Sequence, residues 1–223
     1  MREDRPTMWL LAGPNGSGKS TFYANNLADD VKTYVNPDQI AKSLTHIQDQ
    51  QVRDREAMEM SDRQRQALIR EGRSFAAETV FSHISKVDLI KDAKAAGFDV
   101  NLVFISTDDP EINLGRIDQR VKEGGHSVAS AKVAPRYERA LDNLRIALPI
   151  TDNAYLYDNS VAGKPHRLAV AVERGIVSEV SPQLPKWVER TFPEGVQTYL
   201  DRCNVERQHE VSRSRKQDSG LDR

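Results

Sequence analysis

The stretch GPNGSGKST, Gly13 to Thr21, follows directly on the apolar run Met8-Trp9-Leu10-Leu11-Ala12. Glycine at this density contributes little to a core, but it frees the backbone to take positive φ and to turn its N–H groups inward. The spacing from Gly13 to Gly18-Lys19-Ser20 fits G-x-x-x-x-G-K-[ST], the phosphate-binding loop. In that reading Gly13, Pro14, Asn15, Gly16, Ser17 and Gly18 curl around a di- or triphosphate, with ATP as the expected nucleotide. The helix that opens at Gly18 adds its positive N-terminal end. Lys19 reaches the outer phosphates as a point charge, Ser20 ligates Mg²⁺, and Thr21 continues the helix beside them. A plain glycine turn with a chance lysine is the alternative. The strand expected before the loop and the helix expected after it argue against that.

Outward from the loop, the chain reads as alternating strands and helices. Thr7–Ala12 is a buried strand and Gly18 to about Leu27 a helix. Lys32–Val35 is a short strand broken by Asn36-Pro37-Asp38, and Pro37 suits the first turn of a helix through Leu44. Arg53–Arg70 is a long polar helix with Ala57, Met60, Ala67 and Leu68 as its sparse apolar stripe, ended by Gly72. Strands are predicted at Ser74–Ser82, Phe98–Ser106 and Ala154–Asn159, and helices at Ile84–Ala96, Pro110–Lys122 and Ala131–Ala147. His166–Val180 alternates and reads as a β-hairpin turned at Arg174-Gly175. The segment LPKWVERTF is a short helix. This order argues for a parallel sheet with helices on both faces. The expected fold is α/β, a three-layer P-loop NTPase of the small-molecule kinase kind with a mainly parallel sheet and an arginine-bearing lid. Residues 1–165 form the core, with the lid at about 116–139. Residues 166–205 form a hairpin and helix packed on it, and 206–223 a flexible tail.

With 223 residues the chain is long enough for one sizeable domain. Lys+Arg 32 against Asp+Glu 33 leaves a net charge of −1, so no global field draws it to nucleic acid or a membrane surface. A single cysteine, Cys203, rules out an internal disulfide and fits a reducing compartment. No apolar run approaches the roughly 18 residues that cross a bilayer, and the polar start MREDRP shows no signal peptide. A cytoplasmic location is the expectation.

A phosphate loop binds nucleotide without naming a reaction. No guanine-reading N/T-K-x-D stretch is present, and Asp108 after Ser106-Thr107 is an off-register match to a metal-binding strand-end acid. A small-molecule kinase needs a carboxylate past the second strand and cations above the phosphates. Asp38 fits the first need and can take the proton of an acceptor hydroxyl; its plain alternative is a helix-start residue offsetting the dipole. Glu78 ends an apolar strand at the carboxyl edge of the sheet, where ligands bind, and is read as an acceptor contact or a structural ion-pair member. His83 sits beside the same crevice. Arg116 and Arg120 share a helix face, Gly124-Gly125 is a candidate hinge, and Arg136 and Arg139 follow on the next helix. Converging on a γ-phosphoryl group, such cations stabilise spread negative charge; otherwise they are a solvated charged face. No Cys or His pair stands at zinc spacing. Asn159, closing the last core strand, borders the expected position of the adenine ring.

Taken together, GPNGSGKST, NPDQIA (Asn36–Ala41), AETVFS (Ala77–Ser82), GGHSV between Arg120 and Arg136, and YDNS (Tyr157–Ser160) resemble the zeta-toxin family of phosphate-loop kinases. The resemblance spans about Met8 to Ser160. It implies ATP-dependent phosphorylation of a hydroxyl on UDP-N-acetylglucosamine and restraint by a small helical antitoxin. It makes Asp38 the general base, Lys19 and Ser20 the phosphate and Mg²⁺ contacts, and Arg120 and Arg136 the lid cations. Glu78 and Thr79 touch the acceptor, and Arg116 rivals Arg120 for the first lid position. Two other readings stay open. A polynucleotide kinase would need stacking aromatics in a basic groove, which 6% aromatic content and near-zero charge do not favour. A nucleotide-gated binding module would need no acceptor at all.

Overall fold

A computed structural model describes residues 5–123 and 129–218. Among the described residues seven strands form one sheet in the order β2-β3-β1-β4-β5-β6-β7. The strands are β1 (Thr7–Ala12), β2 (Tyr34–Val35), β3 (Phe75–Thr79), β4 (Asp99–Ser106), β5 (Asn153–Asp158), β6 (Arg167–Glu173) and β7 (Ile176–Val180). β1 to β5 are parallel, while β6 and β7 continue the sheet antiparallel. The fold is thus α/β with a mainly parallel sheet, as the sequence predicts.

Strand alternation sorts the apolar residues onto two faces. Met8, Leu10, Val100, Leu102 and Phe104 join the larger core cluster, whereas Leu11, Val103 and Ile105 join a smaller one with Phe22 and Leu27. The larger face is covered by α4 (Ser85–Ala95), α6 (Val133–Ala147) and α7 (Lys186–Thr191), which bury Ile90, Leu144 and Trp187 there. α1 (Lys19–Asn26) covers the other face through Phe22. The helices α2 (Pro37–Ser43) and α3 (Gln50–Arg70) pack on each other, and α5 (Pro110–Lys122) follows β4. Because all five parallel strands point the same way, their carboxyl ends and following loops gather along one edge.

Two expectations need correction. α3 begins at Gln50 rather than Arg53, because Asp49 caps it by accepting from the Val52 amide at 2.9 Å. Its buried face also differs: Met60 is exposed, and Ser61 and Arg65 are buried beside Ala57 and Leu68. Of the flexible tail expected over 206–223, the described part, 206–218, is helix, since α8 runs Pro193–Asp218. The residues there are mostly strong helix formers without an apolar stripe, so their local preference carries no periodic signal.

Candidate active site

The phosphate loop lies between β1 and α1 at the carboxyl edge. Gly13, Gly16 and Gly18 all take positive φ. A side chain at Gly13 would meet the Ile105 carbonyl oxygen at 2.0 Å, so only glycine lets the loop pass this close to β4. Neighbouring elements hold the loop's shape. Asn159 Nδ2 donates to the Ser17 carbonyl at 2.8 Å, and Asn113 Nδ2 to the Asn15 carbonyl at 2.7 Å. Lys19 folds back onto its own loop, with Nζ donating to the carbonyls of Gly13 at 2.9 Å and Pro14 at 2.8 Å. Burial lowers its ammonium pKa against the opposing pull of Glu78 and Asp38, and Arg120 lowers it further. Its hydrogen bonds go to carbonyls, and the nearest carboxylate oxygen, on Glu78, stands 3.9 Å away, so the ammonium has donors to turn to a phosphate.

Glu78 is the hub of the neighbouring wall. Its Oε2 accepts from Ser20 Oγ at 2.8 Å, Asn36 Nδ2 at 3.1 Å and the Tyr34 hydroxyl, while Oε1 lies 3.9 Å from Lys19 Nζ. Tyr34 stacks on Tyr23 with ring centroids 3.6 Å apart. Burial, and then the charge of Glu78, push its phenol well above the ordinary range, so the hydroxyl stays a donor. Asn36 Oδ1 caps α2 by accepting from the Asp38 amide at 2.8 Å, which sets Asp38 in the first turn. Ser20 Oγ and the Glu78 carboxylate together are hard oxygen donors, a set that fits Mg²⁺.

One cleft of about 820 Å³ unites these groups. Lys19, Ser20, Asp38, Glu78, Arg120 and Arg136 all line it. Asn15, Gly16, Gly18, Thr21, Thr79, His83, Arg116 and Asn159 border it as well. Gly13, Pro14 and Ser17 form the back of the loop, where the first two hold Lys19 and the third accepts from Asn159. Arg136 NH1 donates to Asn15 Oδ1 at 3.4 Å. The two candidates on α5 diverge. Arg120 is near enough to act on Lys19, whereas Arg116 feels Asp158 and acts on His166. Burial lowers the Arg116 pKa, with Asp158 opposing. The Gly124-Gly125 hinge, His126 and the rest of GGHSV lie outside the described residues.

Two of the residues singled out in the sequence also make structural bonds. His83 uses Nδ1 on the Ser85 hydroxyl at 2.9 Å and the Ser85 amide at 3.2 Å, so its ring steadies the start of α4 while bordering the cleft. Asp108 spends Oδ1 on the Trp187 amide at 3.2 Å, a cap for α7.

Sequence reasoning missed three contributors. Arg65 is 2% exposed and lines the cleft, tied to Ser61, Asp62 and the Glu78 carbonyl. Lys86 joins it on Asp62 at 2.8 Å. Burial raises the Asp62 pKa, but the hydrogen bonds from Lys86 and Arg65 outweigh it and leave the carboxyl below its usual value. His166 packs against Gly18, and Nε2 would lie 2.9 Å from any Cβ there. The Ser61-Arg65-Leu68 spacing on α3 was the one available signal for Arg65, since it places the arginine on the inward stripe.

Comparison with known proteins agrees with this architecture. A chain of 34% identity over 140 residues is an uncharacterized protein of Haemophilus influenzae; the match covers 60% of this chain and 99% of that one. Among solved structures, the AvrRxo1-ORF1:AvrRxo1-ORF2 complex with sulphate ions superposes with a TM-score of 0.68 at 22% identity. That match covers 84% of this chain but only 63% of the other, so this chain spans under two thirds of that protein. A structure from the PezAT chromosomal toxin-antitoxin system of Streptococcus pneumoniae gives a TM-score of 0.59 at 15% identity, covering 95% of this chain and 89% of that one. Both likenesses are of fold. The zeta toxin family model matches residues 1–158, which takes in the phosphate loop, Asp38, Glu78 and all four cleft arginines, and the chain belongs to that family.

Proposed function

We propose that the protein transfers the γ-phosphoryl group of ATP to a hydroxyl of a small acceptor, with nucleotide sugars such as UDP-N-acetylglucosamine as the acceptor class. The observation that carries this reading is the presence of Asp38 on the same cleft as Lys19 and Ser20, near enough for its charge to act on the Lys19 ammonium. A carboxylate facing a phosphate loop across an acceptor-sized cavity is what hydroxyl phosphorylation needs. A module that only senses nucleotide does not need it.

In this reading Asp38 takes the acceptor's proton as its oxygen bonds to the γ-phosphorus and the bond to the β-phosphate oxygen breaks. Lys19 exchanges the Gly13 and Pro14 carbonyls for phosphate oxygens. Arg120 and Arg136 stabilise charge on the moving phosphoryl group, and Arg116, on the same cleft, is the alternative to Arg120 in that role. Ser20 and Glu78 would hold Mg²⁺, which would supply neutralisation of the phosphate charge. Thr79 and His83 belong to the acceptor wall.

The test is incubation with γ-labelled ATP and a panel of nucleotide sugars. Label should pass to one of them, and Asp38→Asn should cut transfer by at least roughly a hundredfold while nucleotide affinity holds. Wild-type turnover in that variant would remove Asp38 from the mechanism. The structures from a toxin-antitoxin system and from a two-protein complex support extending the reading to a small antitoxin-like partner. Growth arrest on expression, relieved by Asp38→Asn, tests the toxin role.

A further inference from the structure

Phe81, just past β3, has φ 62, in the left-handed region that a bulky aromatic residue rarely enters. Its ring is fully buried, so the side chain cannot move to relieve the backbone. The conformation is held from three directions. The Phe81 amide donates to Thr79 Oγ1 at 3.1 Å. The Phe81 carbonyl accepts from Asn143 Nδ2 at 2.8 Å, and the Ser82 carbonyl accepts from Arg139 Nε at 3.1 Å. Thr79 through His83 line the cleft opposite the phosphate loop. This turn is therefore a wall of the acceptor side, kept in a strained shape by its neighbours.

Two of the three tethers come from α6, the helix that carries Arg136. Residues 136, 139 and 143 are three and four positions apart, so they lie along one helix face. The first reaches the phosphate loop at Asn15, and the other two grip the acceptor-side turn. Asn143 is buried, and its amide donor is spent on a main-chain carbonyl rather than on helix packing.

We propose that Arg139 and Asn143 are positioning residues that fix the Val80–His83 turn to the helix bearing Arg136, so that the acceptor wall and a phosphoryl-binding arginine keep one relative geometry. The proposal rests on the kinase reading above and deepens it. Displacing one wall of the cleft by about an ångström costs of the order of tenfold to a hundredfold in transfer. Nucleotide affinity, set by the loop and Lys19, is left alone.

Arg139 is exposed, so Arg139→Ala does not threaten the fold. Wild type, Arg139→Ala, Arg139→Lys and Asn143→Ala are compared by affinity for a nonhydrolysable ATP analogue, by KM and kcat with UDP-N-acetylglucosamine, and by amide exchange of residues 80–84 in the nucleotide-bound protein. Arg139→Ala should raise the acceptor KM at least about tenfold, leave analogue affinity within about twofold, and speed exchange at 80–84. Arg139→Lys, which keeps a donor for the Ser82 carbonyl, should restore much of both, and Asn143→Ala should speed the same exchange. Unchanged KM and unchanged exchange in Arg139→Ala would overturn the proposal. So would a fall in nucleotide affinity equal to the loss of transfer, because Arg139 would then support the phosphate site. If wild type binds nucleotide but does not label this sugar, the acceptor assignment falls, and the exchange measurement alone decides the positioning role.

Discussion

At the scale of single residues, the site is organised by one carboxylate oxygen. Glu78 Oε2 accepts from Ser20, Tyr34 and Asn36, leaving Oε1 toward Lys19. Charge-assisted bonds of this kind are stronger than neutral ones, and losing a donor to a buried carboxylate costs more than the average hydrogen bond. Tyr34→Phe keeps the stack on Tyr23 and removes one donor. It is expected to cost about 1–3 kcal/mol, read as a lower urea midpoint at neutral pH; an unchanged midpoint would show that Ser20 and Asn36 suffice. Asp38 and Glu78 were legible in the sequence because the first comes just after β2 and the second lies at the carboxyl end of β3, where glycine-free apolar runs stop. Tyr34 and Arg65 were not. Tyr34 finds its partner 44 residues away, and the cationic end of Arg65 becomes tolerable in the interior only through Asp62 and the Glu78 carbonyl.

At the scale of elements, the hairpin β6–β7 turns on Arg174 at φ 50 and Gly175 at φ 78, both left-handed, as a two-residue turn between Glu173 and Ile176 requires. Glycine meets that demand freely, and arginine does so at a cost. Asparagine tolerates the region better, so Arg174→Asn should stabilise the fold by about 0.5–1 kcal/mol, seen as a raised melting temperature. A lower one would mean that the arginine's attraction to Asp152 outweighs the strain. The hairpin, the parallel strands and the helix starts at Pro37 and Pro110 were readable because glycine, proline and apolar runs punctuate the chain locally. The start of α3 was misplaced for want of weight on Asp49, a cap whose value depends on the helix that follows. α8 was missed because a polar helix is decided by propensity and by the few contacts of Val196 and Tyr199 with the core, not by a periodic stripe.

At the scale of the whole molecule, chemistry and stability occupy opposite edges of the sheet. The carboxyl edge holds the cleft, and the amino edge is tied together by Asp152. Its carboxylate bonds Lys94 at the end of α4 and accepts from the Val100 amide of β4 at 2.8 Å, while its carbonyl accepts from the Arg174 amide at 2.7 Å. One residue thus joins a helix, the central strands and the hairpin turn. Burial alone would raise the Asp152 pKa, but Lys94 and the Val100 amide together hold it below its ordinary value of 3.8. Since the folded value is the lower one, this carboxylate's contribution is fully present above 3.8 and is lost as pH falls through the folded value. Asp152→Asn should therefore unfold about 1–2 kcal/mol more easily than wild type at neutral pH, and the gap should narrow as the pH drops below about 4. Nucleotide affinity should not change, because among the described residues lining the cleft are none of Lys94, Val100, Asp152 and Arg174. A gap that stays constant with pH would assign the loss to packing rather than charge, and weakened nucleotide binding would show that the two edges are coupled through the strands between them.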